Sequence, residues 1–315
     1  SMGSVTGSGT FVIGEQVTLT ATPGQDYLFT EWRANSAEGE RVSGNSTYTF
    51  TLTSTSPTTY YAVFEQAQLG TLTYTYDDES KTATVSGCTS GATKVVIPET
   101  TMYNNKEYKV TGIAGGSSYT SGAFYSEVSL KSITIPSSIE IIGNYAFFYC
   151  AALTEVNFAD GSVCDSIGQS AFSGCSRLTS ITIPKGVTSI GNYAFQGCSN
   201  LTSITIPSSV TSIGVATFQD CRGLTSITIP DSVTSIGDDA FSRCNFSTVT
   251  IDSSYAYQNA GGASDDCGNL LADANTVYVN SALITEFGAD ANSYLNENFG
   301  QPIDNGNGYY VYTRN

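Results

Sequence analysis

The sequence predicts a β-rich solenoid of stacked, repeated coils behind a small all-β module, and three observations carry that prediction. One template recurs down the middle of the chain at a spacing of 23 residues, ending on Cys198, Cys221 and Cys244. Within each copy, apolar residues alternate with Ser and Thr ahead of a proline, which is the period-two pattern of a half-buried strand. Ahead of the array, residues 5–66 hold short alternating runs separated by Pro-Gly, Gly-Asn and Ser-Pro, the punctuation of tight turns between strands.

In chain order, Ser1-Met2-Gly3-Ser4 reads as a cloning remnant, with any natural leader or anchor outside the sequence. Residues 5–66 read as four short strands, and Glu65 to Gly70 as a linker too short for wide swinging. Residues 67–87 contain "GTLTYTYDDESKTATVSG", two alternating strands around an acidic turn, which fits a hairpin capping the exposed sheet edge of the array. The solenoid is placed over 88–280. Its clearest copies are "LKSITIPSSIEIIGNYAFFYC" (130–150), "LTEVNFADGSVCDSIGQSAFSGC" (153–175, with two extra residues), "LTSITIPKGVTSIGNYAFQGC" (178–198), "LTSITIPSSVTSIGVATFQDC" (201–221) and "LTSITIPDSVTSIGDDAFSRC" (224–244). Degenerate strand signals continue in "FSTVTID" and "NTVYVN", and "NGYYVYTRN" reads as the closing strand of a C-terminal cap, 281–315.

One coil shows the logic. Leu201, Ile204 and Ile206 face inward while Ser203 and Thr205 face out, and Pro207, with no N–H to give, closes the strand. Val210 and Ile213 restart an inward face, Gly214 is expected to turn a corner with a positive φ, and Ala194, Phe195 and Cys198 of the preceding coil fit a short helical turn. A coil alone cannot bury these side chains, so stacking must supply the stability, at about 1.5–3 kcal/mol for each buried Leu, Ile or Phe.

Composition narrows the function. The chain of 315 residues has a formal net charge of −16 with only 13% charged residues, so nucleic acid and anionic membrane surfaces are disfavoured partners. It contains no histidine, which removes histidine-dependent triads, histidine zinc sites and imidazole bases together. No apolar run is long enough to span a membrane.

The pattern L-x-x-I-x-I-P-x-x-V-x-x-I-G-x-x-A-F-x-x-C resembles the BspA-like leucine-rich repeats of bacterial and trichomonad surface proteins, over about 88–280. The resemblance implies a leucine-rich-repeat solenoid, a cell-surface or secreted location, and adhesion to extracellular matrix or other cells. Departures are the insertions near Tyr103 and Cys164, Thr217 in the usual Ala position, and weak copies after Cys244. The N-terminal order "G-x-x-V-T-L-T-A-T-P", an aromatic and Trp, "Y-T-F-T" and "Y-A-V-F" is similar to the B-repeat modules of listerial internalins, which implies a stalk or spacer.

Candidate sites follow. The outward strand positions Glu155, Asn157, Ser180, Thr182, Ser203, Thr205, Ser226 and Thr228, flanked by Ser132, Thr134, Thr248 and Thr250, form a polar ladder suited to a protein or glycan on a host or microbial surface. The same residues are also ordinary solvent-face strand residues. Tyr125, Tyr145, Phe148, Tyr149 and Tyr193 collect near the turns of the early coils, as anchors or as packing. The column Cys150, Cys175, Cys198, Cys221 and Cys244, with Cys267 a further 23 residues on, reads as buried free thiols: parallel coils space their Cβ atoms too widely for disulfides, and nothing converges four ligands. Cys88 and Cys164, off the template, are open to surface exposure. Asp77-Asp78-Glu79, Asp238-Asp239 and Asp265-Asp266 read as turn acids rather than a glycosidase pair, and "DNGNG" (304–308) as a turn rather than a calcium loop. No cofactor or metal is implied. The expectation is a monomeric, non-catalytic binding protein, with a spacer presenting another domain as the alternative.

Overall fold

A computed structural model of the chain describes residues 2–259, 270–271, 274–287 and 293–314. It divides into two compact units, Ser1–Leu69 and Gly70–Asn315. The predicted Cys267 and Asp265-Asp266 lie outside the described residues.

The first unit has six strands: β1 (Gly3–Thr6), β2 (Gln16–Pro23), β3 (Tyr27–Ala34), β4 (Arg41–Ser43), β5 (Thr47–Thr51) and β6 (Tyr60–Gln66). They form two antiparallel sheets in the orders β1-β2-β5 and β4-β3-β6. The four strands legible in the sequence are β2, β3, β5 and β6. Missed were β1, which includes Gly3 and Ser4 of the supposed remnant, and the three-residue β4. Val17, Leu19, Ala21 and Trp32 are buried, with Phe29, Tyr48, Phe50, Tyr60 and Phe64 packed against them.

The second unit opens with the hairpin β7 (Leu72–Asp77) and β8 (Thr82–Cys88), then β9 (Lys94–Val96), β10 (Thr100–Tyr103) and β11 (Lys106–Ile113). Each coil from there contributes two strands. The first of each is β12 (Ser132–Ile135), β14 (Glu155–Phe158), β16 (Ser180–Thr182), β18 (Ser203–Thr205) and β20 (Ser226–Ile229). The second is two residues long: β13 (Ile141–Ile142), β15 (Ser166–Ile167), β17 (Ser189–Ile190), β19 (Ser212–Ile213) and β21 (Ser235–Ile236). The chain continues through β22 (Thr248–Ile251), α1 (Ser254–Asn259), β23 (Thr276–Asn280), α2 (Ser281–Phe287), α3 (Ser293–Asn298), β24 (Ile303–Asp304) and β25 (Tyr309–Thr313).

The short strands stack in parallel as β11-β13-β15-β17-β19-β21, with β8 and then β7 closing the N-terminal edge; the insertion near Tyr103 is the hairpin β10–β11. The longer strands run parallel in three hydrogen-bonded groups: β9-β12-β14, β16-β18, and β20-β22-β23, the last closed by antiparallel β25 and β24. Between the sheets, Phe124, Phe147, Phe172, Phe195, Phe218 and Phe241 stack face to face, with centroids 4.9–5.6 Å apart. Phe246 ends the stack edge-on against Phe241.

The turns of each coil supply a third column of hydrogen bonds. Tyr145, Phe147 and Tyr149 donate their N–H groups to the carbonyls of Gln169, Ala171 and Ser173 in the next coil, and Tyr193, Phe195 and Gly197 do the same to Val215, Thr217 and Gln219. Donors in this column point toward the C-terminal end in every coil, so these backbone polar groups are satisfied without a regular strand. The segment expected as a helical turn is a pair of tight turns, closed by Ala194 N–H to Gly191 and Cys198 N–H to Phe195.

Gly214 corrects a second expectation. Its φ is not positive; the left-handed residues of that coil are Ala216 (φ 50°) and Asp220 (φ 59°). Glycine is needed because a Cβ would lie 2.5 Å from the Asn192 nitrogen of the preceding coil, and Gly191 and Gly237 meet their neighbours in the same way. Thr217, in the alanine position, keeps its hydroxyl fully buried by donating to the carbonyls of Gly214 (2.7 Å) and Gly191 (3.2 Å).

Candidate recognition surfaces

The strand ladder is best built one pair at a time. Parallel register sets Ser180 beside Ser203 and Thr182 beside Thr205, because the buried partners Ile181 and Ile204 lock alternate residues inward. Ser226 and Thr228 lie beside Thr248 and Thr250, and Glu155 and Asn157 beside Ser132 and Thr134. Ser180, Thr182, Ser203, Thr205, Ser226, Thr228 and Asn157 are exposed, while Glu155 is half-buried and its carboxylate accepts from the Ser132 hydroxyl at 3.1 Å. Ser132 is itself buried, so the open ladder begins only at the second coil.

The ladder is not one continuous sheet: β14 and β16 belong to separate hydrogen-bonded groups, as do β18 and β20. The first break has a cause in the sequence. The two extra residues of the second copy make a loop that bonds back to the preceding coil, Ala159 N–H to Ile135 and Val163 N–H to Ser137, with Gly161 at φ 74°. On its other side a crevice of about 440 Å³ opens, lined by Asn157, Phe158, Asp160, Thr182, Pro184 and Lys185 among others. The sequence marked the insertion but not the crevice. A second cavity, about 570 Å³, lies in the first unit among Phe11, Ile13, Trp32, Phe50 and Tyr60, and no sequence pattern pointed to it. A glycosidase needs two facing carboxylates; the crevice has one, Asp160, and the second cavity has none.

The acidic turns do local work. Asp77 accepts from the N–H groups of Glu79 and Ser80, turning the β7–β8 hairpin. Exposed Asp78 accepts from Lys81, Tyr108 and Lys106, which hold its carboxyl well below the usual carboxylate range. Asp304 and Asn305 likewise accept from Gly306 and Asn307 N–H groups, so 304–308 is a turn between β24 and β25.

The thiols point inward. Cys150, Cys175, Cys198, Cys221 and Cys244 are buried, and each Sγ donates to the carbonyl of the phenylalanine one coil earlier, at 3.0–3.3 Å. Burial pushes the Cys198 thiol up to about 12 and Cys221 well above its ordinary value, the opposite of an activated nucleophile. Cys164, whose exposure the sequence left open, is fully buried, its Sγ 3.6 Å from the Ser166 carbonyl. Cys88 is half-buried. The charges beside Cys221 face outward and serve each other: the Asp220 carboxylate accepts from Arg222 at 2.8 Å and from Arg243, one coil on, at 3.3 Å. Among the described residues, no three Cys, Asp or Glu side chains come together as a metal site would require.

Four of the predicted aromatics do meet. Tyr125, Tyr145 and Tyr149 surround Phe148 at centroid distances of 5.4–6.2 Å, and Tyr119, not singled out in the sequence, joins at 6.1 Å. Tyr193 lies two coils further along the column of Tyr145.

Comparison with known proteins agrees with this geometry. Residues 117–247 match the model of the BspA type leucine rich repeat region in six copies. Residues 117–247 form a BspA-type leucine-rich-repeat array. Residues 1–68 match the divergent InlB B-repeat domain, so the all-β unit ahead of the BspA-type repeats is of the B-repeat kind. Among solved structures, a T. pallidum leucine-rich repeat protein is 28% identical with a TM-score of 0.51, covering 57% of this chain and 79% of its own. A leucine-rich cell surface protein of Faecalibacterium prausnitzii is 30% identical with a TM-score of 0.44, covering 58% of this chain and 53% of its own. The pneumococcal vaccine antigen PcpA is 25% identical with a TM-score of 0.47, covering 62% and 53%. No curated protein matches the chain. Among the described residues, no helix is long and apolar enough to cross a membrane.

Proposed function

We propose that this BspA-type array is a non-catalytic binding protein of a bacterial surface, and that it docks a partner macromolecule through the open strand ladder from Glu155 to Thr228. The observation that carries this reading is the crevice between β14 and β16, where Asn157, Asp160, Thr182 and Lys185 bring a set of polar side chains together. Rigid side-by-side hydroxyls at Ser180, Ser203, Thr182 and Thr205 extend the same surface, and a preformed face loses little entropy on binding. The names of the F. prausnitzii and pneumococcal relatives, a cell surface protein and a vaccine antigen, support the location. Adhesion to a host or microbial partner is the function that such a face and location serve together. The test is surface plasmon resonance of the full chain over a panel of purified extracellular-matrix proteins and surface glycans. A specific partner should lose at least tenfold in affinity on Thr182→Lys and on Thr205→Lys. Absence of any partner, or a partner indifferent to both substitutions, would favour a spacer instead.

A further inference from the structure

The turn column that runs through Tyr149, Gly174, Gly197, Asp220 and Arg243 holds a second feature, built from residues that are not part of the strand ladder. Backbone bonds from Tyr149 N–H to Ser173, Gly174 to Gln196, Gly197 to Gln219 and Asp220 to Ser242 stack these five residues coil upon coil. All five take a left-handed backbone, with φ between 59° and 78°. Glycine adopts that conformation freely and a tyrosine does not. The scaffold therefore accepts glycine here, as Gly174 and Gly197 of the second and third copies demonstrate, and carries a large ring at Tyr149 against the backbone preference.

What the ring does is visible in its position. A Cβ on Gly174 would lie 2.9 Å from Tyr149 Cδ2, so the ring leans over the Gly174 backbone, and Tyr149 is nevertheless 57% exposed. Beyond it the floor is bare: a Cβ on Gly197 would meet nothing nearer than the Gly174 backbone, at 3.9 Å. The far side is closed by Asp220, pinned by Arg222 and Arg243. At the usual strand spacing of about 4.8 Å, the backbones of Tyr149 and Asp220 are three coil steps, roughly 14 Å, apart, and because the ring leans over Gly174 the notch left between ring and carboxylate is about one glycine wide. Gln196 and Ser199 flank Gly197 in sequence; the Gln196 amide donates to Gln219 at 2.6 Å and the Ser199 hydroxyl to the Ser176 carbonyl at 3.5 Å.

We propose that this notch is a saccharide-binding site, separate from the strand ladder, that takes one neutral pyranose residue of a glycan. A sugar ring presents an apolar C–H face to an aromatic ring and a rim of hydroxyls to planar polar groups, and the notch places one of each on opposite sides. Asp220 with its two arginines forms a fixed hydrogen-bonding edge for a vicinal diol; the triad itself carries one net positive charge, but the chain around it has a net charge of −16, which disfavours an anionic ligand. An extended peptide fits less well, because the notch is bounded along the column at both ends.

The test uses the full chain and an array of neutral oligosaccharides of glucose, galactose, mannose and N-acetylhexosamines, with hits measured by calorimetry. At least one neutral saccharide should bind, and Tyr149→Ala should weaken it tenfold or more while Tyr149→Phe keeps it. Gly197→Asn, which tolerates the left-handed backbone and fills the notch, should abolish it. Thr205→Lys should leave it unchanged, which separates this site from the ladder. Circular dichroism melting of each variant confirms folding. No binding on the array, binding that survives both Tyr149→Ala and Gly197→Asn, or Tyr149-dependent binding of peptides in place of sugars would each overturn the assignment.

Discussion

Cys221 donates its thiol proton to the carbonyl of Phe195, in the coil before it, at 3.1 Å, and the same bond recurs from Cys150 to Cys244. The bond ties the inward side chain of one coil to the backbone beneath the phenylalanine stack. It also fixes the character of the cysteines, which act as small, hydrogen-bonded core residues.

The first prediction concerns their state. The seven described cysteines are all thiols, and six are buried. Unreduced protein unfolded in guanidinium should therefore titrate at least seven thiols with a disulfide-exchange reagent. Of these seven, the folded protein should offer one at most, half-buried Cys88, and that slowly, since burial and then Glu127 push its thiol up to about 11. A count near zero in denaturant would replace the thiol column with disulfides.

Alkaline pH should erode the fold. Native Cys164 and Cys198 are raised by burial to about 11 and about 12, against 9.0 for an unperturbed thiol. Above pH 9 the unfolded chain loses thiol protons that the native state keeps, so the unfolded state holds fewer protons and stability falls as pH rises. The thiol contribution is complete below pH 9 and disappears through pH 11–12, with each buried thiol adding up to about 1.4 kcal/mol per pH unit to the slope. Urea midpoints between pH 8 and 11 should decline, and less steeply in Cys198→Ala. A flat profile would contradict the burial of these groups.

Two glycine substitutions should separate close approach from conformation. Gly214→Ala puts a methyl 2.5 Å from the Asn192 backbone and should destabilise by about 1–3 kcal/mol or more, because stacked coils cannot part locally. Gly161→Ala meets nothing, yet sits at φ 74°, and should cost only about 1 kcal/mol. Equal shifts in thermal midpoint would refute the close-approach account.

The coils were legible because the same inward positions repeat, so Leu201, Ile204, Phe195 and Cys198 identify one another by spacing alone. Thr217 was marked as a departure, but only coordinates reveal the two glycine carbonyls that accept its hydroxyl. The role of Gly214 was misread because a sequence records which residue lacks a Cβ and not which neighbouring backbone occupies the vacated space. The ladder residues were recognisable as outward-facing from alternation. Their division into separate groups was not, since it depends on which backbone groups of successive coils pair, and alternation does not record that. The Tyr149 notch escaped sequence reasoning for a related reason: its parts are spread over four successive copies, and only stacking brings Tyr149, Gly197 and Asp220 together.

The one-way column of turn hydrogen bonds bears on how such a chain changes over generations. Each interior coil offers donors to its successor and acceptors to its predecessor at fixed positions, as Tyr193, Phe195 and Gly197 do toward Val215, Thr217 and Gln219. A recombination event that duplicates or deletes one whole coil therefore leaves both new junctions chemically identical to the old ones, whereas any other length of insertion must be looped out, as at Gly161. Length in this protein is a heritable quantity that comes in whole steps.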